Sequence, residues 1–362
     1  MSRLTTAATA AVMSIAVSGC ALLRDPAAAL TSAGVAGTVN AISAGPEAEK
    51  RCKPLAERPI AFDEEHALGG ALALHWVSRG GGLTGATSSS KPFGRDVERD
   101  AQLALNVVGR NLAFQSARPH LPWTFGIVES EGFNAISAPA GYVFVTRGLL
   151  EKVSNEAELA GVLAHEIAHI TLKHALIEYQ KAIHAECKRT VTAELFSEAA
   201  SRELRNAASS TLFSNDAIRR MSSRSGLDFN KLDAQTRALF KDVTSGLLKT
   251  LFDRGYSADD EFAADLVAAE LMAQAGYDPD AYVAFLGQLP EGDRALATAH
   301  PKKTERQKRL RDAIARARSA TNDGSALLPF TALAKQKGPL PAPLATLKAA
   351  PPAPRQVGAT AP

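Results

Sequence analysis

His165-Glu166-Ile167-Ala168-His169 constrains this chain more than any other stretch, because two histidines four apart suit one secondary structure. On an α-helix, positions four apart differ by about 400° of rotation and about 6 Å of rise, so both imidazoles project from one face. Two imidazoles so placed can grip one Zn²⁺ at about 2.0–2.1 Å while the helix stays regular. Glu166 falls at the rim of that face, where a carboxylate can take a proton from water activated by the metal. Leu159, Val162, Leu163, Ile167 and Ile170 recur at three- and four-residue intervals and predict a helix buried in a core. Asn155 supplies an N-cap and Glu156 and Glu158 supply first-turn acids. Taken alone, the same five residues also fit an ordinary helix carrying two packed histidines.

The chain around this motif has a globular composition, with 46% apolar and 22% charged residues over 362 positions. A formal charge of +3 without a dense Lys/Arg block argues against a nucleic-acid partner. No apolar run reaches the roughly 18–20 residues of a transmembrane helix. The N-terminus has its own pattern: Arg3, then an apolar, alanine-rich run from Leu4 to Val17, then Val17-Ser18-Gly19-Cys20. That ending resembles the lipobox of bacterial lipoproteins, which implies a signal peptide over 1–19, cleavage before Cys20 and diacylation of its sulfur. The protein would then be periplasmic, held on a membrane by acyl chains worth about 0.8 kcal/mol per buried CH₂. Ala21 in place of an aspartate favours the outer membrane. An ordinary secretory signal, with Cys20 incidental, is the other reading. Cys52 and Cys187 are the two remaining cysteines. A bridge between them would close a loop of more than a hundred residues, about 4–5 kcal/mol in the chain-entropy model. Neither stands in a CxxC or near another ligand type.

Along the chain, residues 20–61 read as lipidated cysteine and flexible tether, rich in Ala, Gly, Ser and Pro. A helix is expected from Asp63-Glu64-Glu65 through Leu68, Leu72 and Trp76 to the glycines at 80–82, and another from Asp96 to Phe114. Trp123 to Val128 alternates like a strand, and Asn134 to Thr146 reads as a hairpin turning at Pro139 to Gly141. Residues 175–255 are helical in pattern but polar, with a mobile insertion near the cleft. A further helix starts near Ser257 and closes at Gly276 and Pro279. Residues 319–362 are expected to be a disordered Pro/Ala-rich tail.

A catalytic zinc site usually has three protein ligands and an open position. His174 lies five residues after His169, about 140° round a continuous helix, so it points away from the metal and suits packing or support of a ligand. Leu172 and Ala175 occupy the places where a metzincin would have its glycine and third histidine. Glu261 is the better candidate, with Asp265 one turn later able to accept the ring N–H of a ligating histidine. An exposed acidic face is the bland alternative for both.

HEIAH at 165–169, Tyr256-Ser257 followed by Glu261-x-x-x-Asp265, Ala299-His300-Pro301, and upstream Asn134-Ala135 and Gly141-Tyr142-Val143-Phe144-Val145-Thr146-Arg147-Gly148 together resemble the zinc metallopeptidases of family M48. That family includes the CaaX prenyl proteases and HtpX, and the likeness, over about residues 62–312, is to its soluble periplasmic branch. The resemblance implies an α+β, mainly helical fold over 62–318, a zincin (gluzincin-like) core with a small β-sheet edge next to the HExxH helix. It implies one Zn²⁺ per chain on His165, His169 and Glu261, with Glu166 as general base and Asp265 supporting a ligand. His300 would either stabilise the oxyanion or cap the metal at rest. Asn134, Gly141 and Tyr142 would belong to a strand that holds substrate as an added strand, although Asn134 and Gly141 also suit plain turn positions. Pro139-Ala140-Gly141-Tyr142 departs from the Pro-Gly-Gly-Tyr common in the family, a change that bears on the turn. The implied function is hydrolysis of peptide bonds in unfolded or misassembled cell-envelope proteins. The alternative is a zinc-binding periplasmic chaperone or assembly lipoprotein with latent or no proteolytic activity.

Overall fold

The computed structural model describes residues 32–84, 96–200, 246–247, 255–288, 303–322 and 338–349. The chain divides into two compact units, residues 1–58 with 183–224, and residues 59–182 with 225–362. Helix α1, Ser32–Glu57, belongs to the first unit. It revises the expected flexible tether. Ala48, Cys52 and Leu55 are fully buried, and their four- and three-residue spacing makes one apolar helical face. Cys52 is bonded to Cys187 with the Cα atoms 5.8 Å apart, a separation of 135 residues. Replacing both cysteines with alanine is expected to cost about 2–4 kcal/mol, less than the chain-entropy figure because a reduced chain retains structure. Urea melts of the double variant against wild type, with and without reductant, measure this directly.

The second unit holds the remaining elements: α2 (Phe62–Arg79), α3 (Asp96–Phe114), β1 (Thr124–Val128), β2 (Ala135–Ala138), β3 (Tyr142–Thr146), α4 (Arg147–Lys152) and α5 (Glu156–Thr171). Then come α6 (His174–Ala200), whose later turns lie in the first unit, and α7 (Ala258–Gln274), α8 (Pro279–Leu286), α9 (Lys303–Asn322) and α10 (Ala342–Ala349). This is the α+β, mainly helical architecture expected. Helix α5 is its axis. Every residue from Ala157 to Ile170 is buried, so the helix is enclosed on all sides by α3, α7, α8 and the sheet instead of presenting one stripe. Asn155 caps it, its side chain accepting from the Glu158 N–H at 3.0 Å.

The sheet has the order β1-β3-β2, with β1 parallel and β2 antiparallel to β3. The β2–β3 hairpin turns through a 3₁₀ segment, Pro139–Gly141, in which Ala140 and Gly141 have φ of 65° and 96°. The left-handed conformation costs a non-glycine residue about 1–2 kcal/mol. Alanine thus occupies a left-handed position that glycine would take without that cost. Glu65 helps hold it there, accepting from Ala140 N at 2.9 Å and from both terminal nitrogens of Arg118 at 2.9 and 2.7 Å.

The expected disordered tail is also revised. Helix α9 runs to Asn322, and α10 packs on α3 with Leu344 and Leu347 buried. Arg147 Nη2 donates to Leu347 O at 3.2 Å and Lys348 Nζ to Val153 O at 2.9 Å. Apolar leucines inside a Pro/Ala-rich run stabilise this segment by burial, which composition alone conceals. Among the described residues no helix is long and apolar enough to cross a membrane.

Candidate metal centre

Regular helix geometry on α5 sets the first two groups, with His165 Nε2 and His169 Nε2 3.0 Å apart. Helix α7 brings the third. It starts at a capping box in which Ser257 Oγ accepts from Asp260 N while Asp260 Oδ2 accepts from Ser257 N. Glu261 lies one residue beyond that Asp260, on the face of α7 packed against α5. Its Oε2 lies 3.5 Å from His165 Nε2 and its Oε1 3.6 Å from His169 Nε2. Four ligands placed tetrahedrally at about 2.0–2.1 Å are about 3.3–3.4 Å from one another. The three separations here bracket that value, and the donor set of two imidazoles and one carboxylate suits zinc. The residues present therefore fit the metal that the motif implies. All three are buried.

Asp265, one turn along α7, reaches the other nitrogen of His165, with Nδ1 to Oδ1 at 3.1 Å. Arg306 of α9 clamps the same carboxylate with Nε to Oδ2 at 2.8 Å and Nη2 to Oδ1 at 2.6 Å. Its Nη1 stands 3.2 Å from Glu261 Oε2. Tyr282 of α8 donates its hydroxyl to Asp265 Oδ1 at 2.9 Å and accepts from Arg306 Nη2 at 3.1 Å. Gly161 permits this approach, since a Cβ there would lie 2.5 Å from the Cβ of Tyr282. Burial alone would raise the Asp265 pKa, but Arg306 and His165 hold it well below the ordinary carboxylate range. Burial alone would lower that of His165, but hydrogen bonds to Asp265 and Glu261 raise it to about 9.

His174 opens α6 after Lys173, whose φ of 62° reverses the chain, and its Nδ1 lies 2.8 Å from His169 Nδ1. It stands outside the group of His165, His169 and Glu261 but contacts His169 directly. Burial outweighs Asp260 and Glu261 and lowers its pKa. Tyr256 stacks on His169 with ring centroids 4.3 Å apart. Burial, followed by the charges of Glu166 and Glu261, raises its phenol pKa. Glu166 is buried, with its charge close to that phenol.

A cleft beside His169 is lined by Ser137, Ala138 and Pro139 on one side and by Ile170, Leu176 and Tyr256 on the other. Its strand is β2. Thr146 N donates to Asn134 O at 3.0 Å, so 134, 136 and 138 point their backbone groups at β3, and Ala135 and Ser137 point theirs away. The expected strand residues are thus placed differently. Asn134 precedes β2 and faces inward, Gly141 is in the turn, and Tyr142 starts β3, which is central and paired on both edges. His300 and Cys20 lie outside the described residues, as does most of 201–254. Sequence reasoning missed Arg306 and Tyr282, which carry no spacing relative to the motif.

A model of peptidase family M48 matches residues 99–314, more than half of the chain and all of the residues just described around the metal site. The chain belongs to peptidase family M48. Similar proteins include the beta-barrel assembly-enhancing protease of Yersinia pestis, 36% identical over 70 residues, 19% of this chain and 14% of that one. The mitochondrial metalloendopeptidase OMA1 of Bos taurus is 45% identical over 53 residues, 15% of this chain and 10% of that one. The metalloprotease YcaL of Escherichia coli (strain K12) is 26% identical over 198 residues, 54% of this chain and 63% of that one. The chain thus spans only 14% of the first of these M48 relatives and less than two thirds of YcaL.

Proposed function

We propose that this M48 protein is a zinc-dependent endopeptidase acting on unfolded or misassembled cell-envelope polypeptides. The observation that carries the reading is the buried group of His165, His169 and Glu261, its histidines on a helix that also carries Glu166, with His169 lining a cleft that Ser137 and Ala138 of β2 border. His165, His169 and Glu261 would hold the zinc, which would supply Lewis acidity toward the scissile carbonyl and water. Glu166 takes the proton of the attacking water and returns it to the leaving amine. Asp265, clamped by Arg306, fixes the ring of His165, and Arg306 balances the charge of Glu261. His300, in the family's His-Pro element, would stabilise the oxyanion or cap the site at rest. The substrate would add to β2 as a further strand through the outward N–H and C=O of Ala135 and Ser137, which reads backbone and tolerates varied side chains.

The envelope assignment rests on the lipobox-like Val17-Ser18-Gly19-Cys20 and on the name of the Yersinia pestis relative. A lipid anchor at Cys20 in the outer membrane and one zinc per chain belong to the same proposal. Incubating the purified protein with an outer-membrane β-barrel protein, unfolded or pre-folded in detergent, tests the substrate class. Cleavage of the unfolded form alone is expected. Equal cleavage of both, or of neither while casein is cut, would overturn it. The strand reading has its own test in Ser137→Pro, which removes one outward N–H without touching the β2–β3 ladder. It is expected to raise KM for casein about tenfold, the worth of one hydrogen bond of about 1.4 kcal/mol, with kcat little changed. An unaltered KM would contradict this placement of substrate.

A further inference from the structure

We propose that His174 is a positioning residue for the metal, accepting the Nδ1–H of His169 and so committing the Nε2 lone pair of His169 to the ligand cluster. This rests on the zinc reading of the site. His169 Nε2 is 3.0 Å from His165 Nε2 and 3.6 Å from Glu261 Oε1, so it is the nitrogen turned to the other two donors. A nitrogen that gives its lone pair to a metal cannot carry a proton, which leaves the proton of neutral His169 on Nδ1. That atom is 2.8 Å from His174 Nδ1, and two N–H groups cannot face each other at that distance. His174 Nδ1 must therefore accept, and the His174 proton sits on Nε2.

That Nε2 faces Asp260 Oδ1 at 3.6 Å. The other oxygen of Asp260 is engaged by Ser257 N and Oγ at 3.2 and 2.6 Å in the cap of α7. The residue after Asp260 is the ligand Glu261. One line of groups thus runs from the cap of α7 through His174 to His169 and returns to the same helix at Glu261. The two ligand histidines are held differently, His165 by the clamped carboxylate of Asp265 and His169 by an imidazole. The left-handed residue Lys173 makes this possible. It ends α5 and turns His174 back over His169, where a continuous helix would carry it about 140° away.

Partners of ligating histidines typically contribute about 10–100-fold to metal affinity. The test is the zinc Kd of the full chain, by chelator competition, in wild type, His174→Phe and His174→Asn, with Asp265→Asn as reference. The Co²⁺ absorption spectrum of each is recorded alongside. His174→Phe is expected to weaken zinc about 10–100-fold and to alter the Co²⁺ spectrum. His174→Asn, which retains an acceptor oxygen, is expected to recover most of both. A His174→Phe protein that is folded by circular dichroism and binds zinc within twofold of wild type would overturn the proposal. An asparagine variant as weak as phenylalanine would also overturn it, leaving His174 a packing role. If His174→Phe does not fold, Asp260→Asn serves instead, since it weakens the orientation of His174 from a partly exposed position. Several-fold weaker zinc is then expected, and an unchanged Kd counts against the proposal. Wild-type protein that binds no zinc would instead overturn the zinc reading itself.

Discussion

Glu166→Gln is expected to lower kcat for casein cleavage by about 10²–10⁴-fold, the range for loss of a positioned general base, with zinc content unchanged. The amide has the shape of the carboxylate but cannot take a proton at neutral pH, so the change isolates proton transfer from packing. Packing matters here because Glu166 is buried within α5, among residues that are buried from Ala157 to Ile170. An alanine would leave a cavity between His165 and His169 in the helix and blur the result. Metal analysis and a thermal melt on the same preparation separate the cases. Retained zinc, an unchanged Tm and lost turnover assign Glu166 as the base. Retained turnover would move that role to another group.

The second large effect is expected on stability. Arg306→Met should destabilise the metal-free protein by about 3–5 kcal/mol, the usual cost of leaving a buried charge without its partner. For a chain of this size that lowers Tm by on the order of 10 °C. Glu261 and Asp265 are both almost fully buried, and Arg306 reaches both. Methionine keeps much of the volume and removes the charge, so the loss is electrostatic and not one of packing. Zinc would restore part of the difference, because a cation on Glu261 replaces some of the missing charge. The rise in Tm on adding zinc should therefore be larger in the variant than in wild type. An equal rise in the two would contradict the assignment of Arg306 as the resident counter-charge of the site.

The parts of this site legible in the sequence were those fixed by local rules. Helical periodicity gives His165 and His169 one face, Asn155 and Ser257 signal the two helix starts, and the four-residue step from Glu261 to Asp265 puts both acids on one face of their helix. The turn at Pro139 to Gly141 was visible for the same reason, since Pro and Gly punctuate the chain. Arg306 and Tyr282 were not legible, because their partners are 41 and 17 residues away from them at Asp265 and only packing of α8 and α9 on α7 creates the contact. The tether and the tail failed in another way. Proline and alanine content masked Ala48, Cys52 and Leu55 on one helix and Leu344 and Leu347 on the other, where burial decides the outcome against propensity. Tyr142 went to the central strand because strand order, unlike strand existence, is set by non-local pairing.

The claim at the centre is that zinc on His165, His169 and Glu261 carries peptide hydrolysis. Its most direct test is casein cleavage by the purified protein as prepared, after exhaustive removal of zinc with chelator, and after stepwise return of zinc. The account predicts that cleavage disappears with the metal and returns in full at one equivalent per chain. Cleavage that persists at undetectable zinc would contradict it.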